Sequence, residues 1–295
     1  MSATHDNTSE ARALGLGLAA VLLWSTVATG FKLGLNLMTV SQLLWLGTLI
    51  SWAIFGIAAA WRKKWQLPRE EWPLCVLLGL INPCSYYLLL FAAYDRLPAF
   101  IAQPLNYTWA ITLALLAVPI LKQNITRALF AGICISYAGV VWLLVGARVE
   151  SNVDWDGFGV ALALISTLLW AIYWLLNTRS RAEPVAMMFW SFSLAVPTLT
   201  VIVLLGPGLP PLTDKHLLYG GWVGLLEMGV TFLLWQRAMK STANVGRLGQ
   251  LIFLAPFLSM LLIYFVLSEP ITWTTIAALA VIVAGVLITQ RVRVT

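Results

Sequence analysis

The chain has 295 residues, 60% of them hydrophobic and only 10% charged, with a mean hydropathy of +0.87, whereas soluble domains carry about 25% charged residues. That balance excludes a soluble globular domain and points to a membrane protein. The net charge of +6 is spread over short loops with no Lys/Arg block long enough for a nucleic-acid arm, so no nucleic-acid partner is expected.

Residues 1–11 are polar, and the apolar run Leu14–Leu35 that follows is too long for a signal h-region and lacks a small-residue cleavage site, so no cleavable signal is expected. A bilayer core of about 30 Å needs roughly 20 apolar residues per helix. Ten such spans are predicted, at 13–34, 41–61, 72–94, 98–120, 126–146, 157–178, 184–205, 217–239, 244–267 and 272–290. LPREE, KQN, SRAE, GPGLPPLTD and SEP punctuate them. The runs are continuously apolar, which excludes the alternating pattern of a membrane β-barrel. The expected fold is an all-α integral membrane protein of ten transmembrane helices.

With the N-terminus inside, 14 of the 18 Lys and Arg residues fall on the inner side and 4, Lys32, Arg96, Arg148 and Lys215, on the outer. The positive-inside rule then puts both termini in the cytoplasm.

One offset recurs when the sequence is slid on itself. Leu22-Leu23-Trp24 matches Leu168-Leu169-Trp170, Ile125-Thr126 matches Ile271-Thr272, and Ala138-Gly139-Val140 matches Ala284-Gly285-Val286, all at 146. Gly79 with Gly224, Ala93 with Ala238 and Trp45 with Trp190 match at 145. The chain therefore divides into two five-helix repeats, 1–150 and 151–295. Because five is odd, the second half enters the membrane from the opposite side. Inverted repeats are the architecture of secondary transporters, with the solute site between the halves near the midplane. No GxxxxGK[ST] phosphate loop occurs, so the chain carries no ATPase of its own.

The segment Leu22-Leu23-Trp24-Ser25, the run Gln236 to Ala243 leading to Ala255-Pro256-Phe257, and the closing Ser268-Glu269-Pro270-Ile271-Thr272 resemble the ten-helix branch of the drug/metabolite transporter superfamily over nearly the whole chain. The first half departs from the family pattern: Ser25 replaces a glycine, Trp45 stands where an arginine is common, and Gln123 replaces a glutamate. Within the superfamily the aromatic-rich first half is most similar to bacterial aromatic amino acid exporters. The resemblance implies efflux across the inner membrane through a cavity lined by spans 1, 3, 4, 6, 8 and 9.

On span 4, Gln103, Asn106, Tyr107 and Ala110 share one helical face, with Trp109 beside it. Amide and phenol groups there suit a zwitterion, although such groups also tie neighbouring helices together. On span 3, Asn82, Pro83, Tyr86 and Tyr87 lie mid-span, and 82 + 145 leads to Glu227, the only carboxylate deep in any span. An intramembrane carboxylate is a candidate for binding an ammonium or carrying a proton; pairing with Arg247 as pure structure is the alternative. Trp24, Trp170, Tyr173 and Trp174 are the deeper aromatics of spans 1 and 6, while Arg247 and Gln250 are the polar groups of span 9. Trp45, Trp61, Trp65, Trp72, Trp155, Trp222 and Trp273 lie near span ends, where an interfacial belt is expected. Pro83, Pro104, Pro197 and Pro256 are candidate kinks or hinges inside spans.

The expected function is a secondary transporter exporting aromatic amino acids and related small neutral amphipathic solutes. Efflux of lipophilic cations is the alternative within transport, and a lipid scramblase or membrane-embedded enzyme the alternative outside it. Catalysis would need a cluster of acid, base or nucleophile that the spans do not supply. The partners expected are a small-molecule substrate and the lipid bilayer, with the chain acting as a monomer. Cys75, Cys84 and Cys134 are expected as free thiols, and His5 and His216 are too far apart in sequence for a metal pair, so neither metal nor cofactor is expected.

Overall fold

A computed structural model describes residues 2–121, 127–150, 153–177, 179–242, 248–249 and 251–290. Eight of its helices are long and apolar enough to cross a membrane: α1 (Glu10–Leu35), α2 (Val40–Arg62), α3 (Arg69–Arg96), α4 (Ala99–Leu116), α5 (Arg127–Val149), α6 (Gly157–Asn177), α7 (Pro184–Leu205) and α8 (Asp214–Met239). Two shorter apolar helices, α9 (Leu251–Leu267) and α10 (Trp273–Ile288), complete a ten-helix membrane fold. Each falls where a span was predicted.

Local chemistry sets the helix ends. Thr39 and Gln42 form a capping box that starts α2, Pro184 opens α7, and Asp156 accepts from the Phe158 amide at 2.9 Å to begin α6. The prolines act less uniformly than expected. Helix α7 runs unbroken through Pro197, and Pro256 sits in the first turn of the regular part of α9 after the tight turn Leu251–Leu254, where its missing N–H costs nothing. Span 4 breaks at Thr108, one turn beyond Pro104. At Asn82-Pro83 the backbone leaves helical geometry inside α3, at φ −134° and ψ 117° for Asn82, and at Gly229 it does so inside α8, at φ −100° and ψ −92°.

Helices pair as two inverted repeats require. Helix α1 packs on the second half of α8, and its repeat mate α6 packs on the second half of α3. Helices α2 and α7 pair with each other across the pseudo-twofold axis, as do α5 and α10. The α5–α10 seam is symmetric to the residue: a Cβ on Gly139 would meet the Ala278 carbonyl oxygen at 3.0 Å and Ile282 Cγ1 at 2.8 Å. A Cβ on Gly285 would meet the equivalent Gly132 oxygen at 2.6 Å and the equivalent Ser136. The matched Ala-Gly-Val triplets thus allow two backbones to approach closely.

In the α2–α7 pair, Trp45 donates to Thr200 Oγ1 at 2.9 Å and Trp52 to Ser193 Oγ at 2.8 Å, in antiparallel register. Trp222 likewise donates to Thr26 Oγ1 at 2.9 Å. Trp45 and Trp222, expected in the interfacial belt, also join helices, because an indole N–H facing a neighbouring helix finds a partner there. Trp61 and Trp273, 87% and 84% exposed, keep the outward position. The three cysteines are free.

Candidate functional site

Two repeat-related helices are widened at matching places. In α3 the wide turn Leu80–Ser85 replaces regular helix, and in α8 the wide turn Trp222–Gly229 does. Each frees a carbonyl, and each is satisfied the same way: Ser85 Oγ donates to Leu80 O at 2.8 Å, and Thr231 Oγ1 donates to Leu226 O. The offset of 146 links both partners, since 85 + 146 = 231 and 80 + 146 = 226. Wide turns of this kind cluster at functional sites. The one in α8 carries Glu227 into the interior of the bundle.

Between the halves lies a cavity of about 660 Å³ lined by α1, α3, α4, α6, α8, α9 and Gly249 just before α9, a size suited to a small organic solute. Of the residues singled out in sequence, Trp24, Tyr86, Gln103, Asn106, Tyr107, Trp109, Trp170, Trp174 and Glu227 line it. Ala110, the fourth member of the α4 stripe, lines it too. Asn82, Tyr87 and Tyr173 are buried but stand behind the wall rather than in it. Arg247, Gln250 and Gln123 lie outside the described residues, so the pairing of Glu227 with Arg247 does too.

The aromatic lining is a connected stack. Trp170 lies flat against Tyr86 at 4.5 Å and against Tyr173 at 5.5 Å, and meets Trp174 edge-on at 5.8 Å. Phe232 contacts both Trp24 and its repeat mate Trp170, at 5.8 and 6.1 Å. Such pairs contribute about 0.5–1.5 kcal/mol each beyond burial. Of these rings Trp24, Tyr86, Trp170, Trp174 and Phe232 line the cavity.

Polar groups converge on one side. Asn106 Nδ2 donates to Tyr86 Oη at 3.3 Å. Tyr87 donates to Glu227 Oε1 at 2.8 Å from behind, and Trp24 Nε1 reaches the Glu227 carbonyl oxygen at 3.4 Å. Glu227 Oε2, Gln103 Oε1 and Trp174 Nε1 are buried without a hydrogen-bond partner. Leaving such groups unpaired costs about 1–3 kcal/mol each, a cost that a bound polar group would relieve. Glu227 is the one charged residue type among the buried described residues. No group of three or more His, Cys, Asp or Glu side chains is gathered among the described residues.

Sequence reasoning placed span 9 at the cavity through Arg247 and Gln250 and missed the apolar residues that line it there. Gly249, Ile252 and Phe253 line the cavity, and they are the repeat mates of Gln103, Asn106 and Tyr107, since 249 − 103, 252 − 106 and 253 − 107 all equal 146. Phe232, the mate of Tyr86 by the same offset, was missed as well. Carrying the offset through the α4 stripe would have found the first three, and carrying it through Tyr86 of α3 the fourth. The two walls differ in chemistry: amide, amide and phenol on α4 face glycine, isoleucine and phenylalanine at α9.

Among the described residues the cavity is closed at one end and open at the other. Phe31, Tyr94, Leu97, Ala99 and Phe100, at the end where α1 and α3 finish and α4 begins, are at most 3% exposed. Toward the other end, where α4, α6 and α8 finish, the lining residues Leu113, Ala114, Met239 and Gly249 are partly exposed.

Comparison with known proteins agrees with this architecture. The EamA-like transporter family matches twice, over residues 11–145 and 157–291. An aromatic amino acid exporter, YddG of Ancylobacter novellus, is 28% identical over 270 residues, covering 86% of this chain and 88% of the relative. An uncharacterized transporter of Archaeoglobus fulgidus is 22% identical over 277 residues, covering 91% and 94%. A solved crystal structure superposes with a TM-score of 0.68 at 25% identity, covering 94% of this chain and 95% of the other. Two matched repeats, ten apolar helices and a cavity between the halves have one common explanation: the chain is a multi-pass membrane transporter, not an enzyme, and belongs to the EamA-like transporter family of the drug/metabolite transporter superfamily.

Proposed function

We propose that this transporter exports aromatic amino acids and related small neutral amphipathic solutes by alternating access. The observation that carries the reading is the two-walled cavity: a polar stripe on α4 and the Glu227 carboxyl on α8 face the apolar groups of α9, with stacked rings between them. An aromatic amino acid has the complementary shape, a polar head and a flat apolar side chain. Its ammonium group suits Glu227, and its indole or phenyl ring suits Trp170, Phe232 and Phe253. A relative over most of the chain named as an aromatic amino acid exporter supports the same substrate class.

In this reading residues 1–150 and 151–295 are the two halves, working as a monomer in the bacterial inner membrane with both termini cytoplasmic. That topology turns the open end of the cavity toward the cytoplasm, where an exporter collects its cargo. Reciprocal movement of the halves would then open the sealed end.

One observation favours a second reading, efflux of lipophilic cations. Among the described lining residues Glu227 is the sole ionisable group of either charge apart from tyrosine phenols, with no basic side chain to meet a substrate carboxylate. Flux from proteoliposomes separates the readings. Tryptophan should move and be inhibited by phenylalanine and tyrosine; movement of a cationic aromatic dye with no tryptophan flux would refute the amino acid assignment.

A further inference from the structure

The turn between α3 and α4 leaves two sets of backbone groups with no partner inside their own helices. At the end of α3 they are carbonyls, the negative pole of the helix; at the start of α4 they are amides, the positive pole. Pro98 occupies the position before α4 and supplies no side-chain cap. Both sets are met by charged side chains from elsewhere in the chain. Lys32 of α1 donates to Tyr94 O at 2.7 Å and to Leu97 O at 2.9 Å. Glu269, in the turn between α9 and α10, accepts from the Ala99 and Phe100 amides, both at 2.9 Å. Each charge sits at the pole that favours it.

Two of these four hydrogen bonds, those of Glu269, join the two halves, and the Lys32 pair ties α1 to the α3–α4 turn within the first half. They fasten the α3–α4 turn of the first half to α1 on one side and to the α9–α10 turn of the second half on the other. They do so at the sealed end of the cavity, above the floor where Phe31 meets Tyr94 at 5.4 Å and Phe91 at 4.6 Å. A cap whose only role was to start α4 could have come from a residue adjacent in sequence, as Asp156 does for α6. Here it comes from 170 residues away.

We propose that Lys32 and Glu269 form a two-sided latch that holds the outer end of the transporter shut. Opening that end requires α4 to part from the α9–α10 turn, which breaks both Glu269 contacts together and exposes the Ala99 and Phe100 amides. The latch is one-sided in sequence as well. At the offset of 146 the mates of Glu269 and Lys32 are Gln123 and Thr178, neither of them charged. Those positions carry no charges to repeat this latch at the opposite end, where Glu71 instead accepts from Ser180 Oγ at 3.0 Å and from the Arg181 amide at 2.9 Å; the Lys32–Glu269 latch acts on the outer end alone and biases the resting protein toward the form with that end closed.

The latch rests on alternating access and on cytoplasmic termini, but on no particular substrate, so its test uses none. Full-length protein carrying Leu90→Cys as a reporter in the cavity would be treated, in right-side-out vesicles, with a membrane-impermeant maleimide added outside. Protein without the reporter sets the background from the native cysteines. Glu269→Gln and Lys32→Met should each speed labelling of the reporter at least tenfold, while thermal stability, measured on the same samples, confirms folded protein. Should Glu269→Gln fold poorly, Lys32→Met alone decides. Labelling at the parent rate in a folded variant overturns the proposal, whether or not its melting temperature has fallen, because a cap with only a structural role would lower stability without opening the outer end. Tryptophan flux measured separately can fail while the latch stands, and the reverse.

Discussion

Tyr87 and Glu227 are 140 positions apart in sequence, and their side chains meet at 2.8 Å, the phenol donating to Oε1. Tyr87 is fully buried and does not line the cavity, whereas Glu227 does. The carboxyl is thus held from behind by the first half while its other oxygen, Oε2, has no partner. A tyrosine hydroxyl on one half fixes the rotamer of the acid on the other. The arrangement leaves one face of the carboxyl for a ligand and ties that face to the relative position of the halves.

Replacing Tyr87 by phenylalanine removes this donor and little else, since the ring contacts to Tyr86 and Phe91 at 4.6 and 5.5 Å remain available. The expected cost is about 1–3 kcal/mol of stability, from leaving both carboxyl oxygens without a partner. Adding substrate should recover more melting temperature in Tyr87→Phe than in the parent, because the bound head group then supplies the missing partner. Thermal melts with and without tryptophan check this; equal ligand shifts in the two proteins would sink it.

The two walls predict a split in substrate response. Asn106→Leu should weaken the apparent affinity for tryptophan about tenfold, the loss of roughly 1.4 kcal/mol for one hydrogen bond. Indole, which lacks the polar head, should compete equally well against both proteins. Ile252→Val on the facing wall should leave the head-group preference unchanged, since it removes one methylene from an apolar contact. Competition assays with indole and tryptophan read the difference, and a parallel loss for both solutes in Asn106→Leu would contradict the assignment of polar and apolar walls.

Helix number, repeat and the polar stripe on α4 were legible in sequence because each leaves a periodic signature: long apolar runs, a constant offset, and the i, i+3, i+4, i+7 spacing of Gln103, Asn106, Tyr107 and Ala110. The opposite wall was not. Gly249, Ile252 and Phe253 look like any apolar stretch of a membrane helix, and only their symmetry with the polar stripe distinguishes them. Asn82 and Tyr173, buried outside the cavity lining, show the converse. A polar or aromatic residue at mid-span depth can point into a helix interface as readily as into a cavity, and depth does not report direction. Pro197 shows the same limit, since a proline within an apolar run does not reveal whether the helix will break around it.

Acidity bears on Glu269, which lies in the turn outside the spans. Burial raises its pKa, and the Ala99 and Phe100 amides and Lys32 only partly oppose that. A carboxyl whose folded pKa lies above its unfolded value, near 4.3, favours the folded state most when protonated. Its contribution therefore declines as pH rises from about 4.3 through the raised folded value, the ionised form being held at a desolvation cost. Glu269→Gln lacks this titration. Across that window the parent's melting temperature should fall relative to that of the variant as pH increases; parallel curves would show that the carboxyl is not desolvated as the structure indicates.

The seam between α5 and α10 allows a test of how closely the two repeats follow one packing rule. Gly139 and Gly285 are repeat mates, but their surroundings differ in what can yield. A methyl group at Gly139 meets Ile282 Cγ1 at 2.8 Å and two backbone atoms, Ala278 O and Ile282 N, each at 3.0 Å. At Gly285 it meets the Gly132 oxygen at 2.6 Å, together with Ser136, whose hydroxyl already donates to Ile282 O at 2.9 Å. Backbone at 3.0 Å needs to give by only a few tenths of an ångström, whereas backbone at 2.6 Å requires the helix itself to move. Overpacking of this kind costs about 1–3 kcal/mol. Gly285→Ala should lie toward the upper end of that range and Gly139→Ala toward the lower, so melting in detergent should fall further for the former. An equal loss would mean that the seam relaxes as a rigid pair rather than residue by residue, and a larger loss for Gly139→Ala would contradict the packing described for this face.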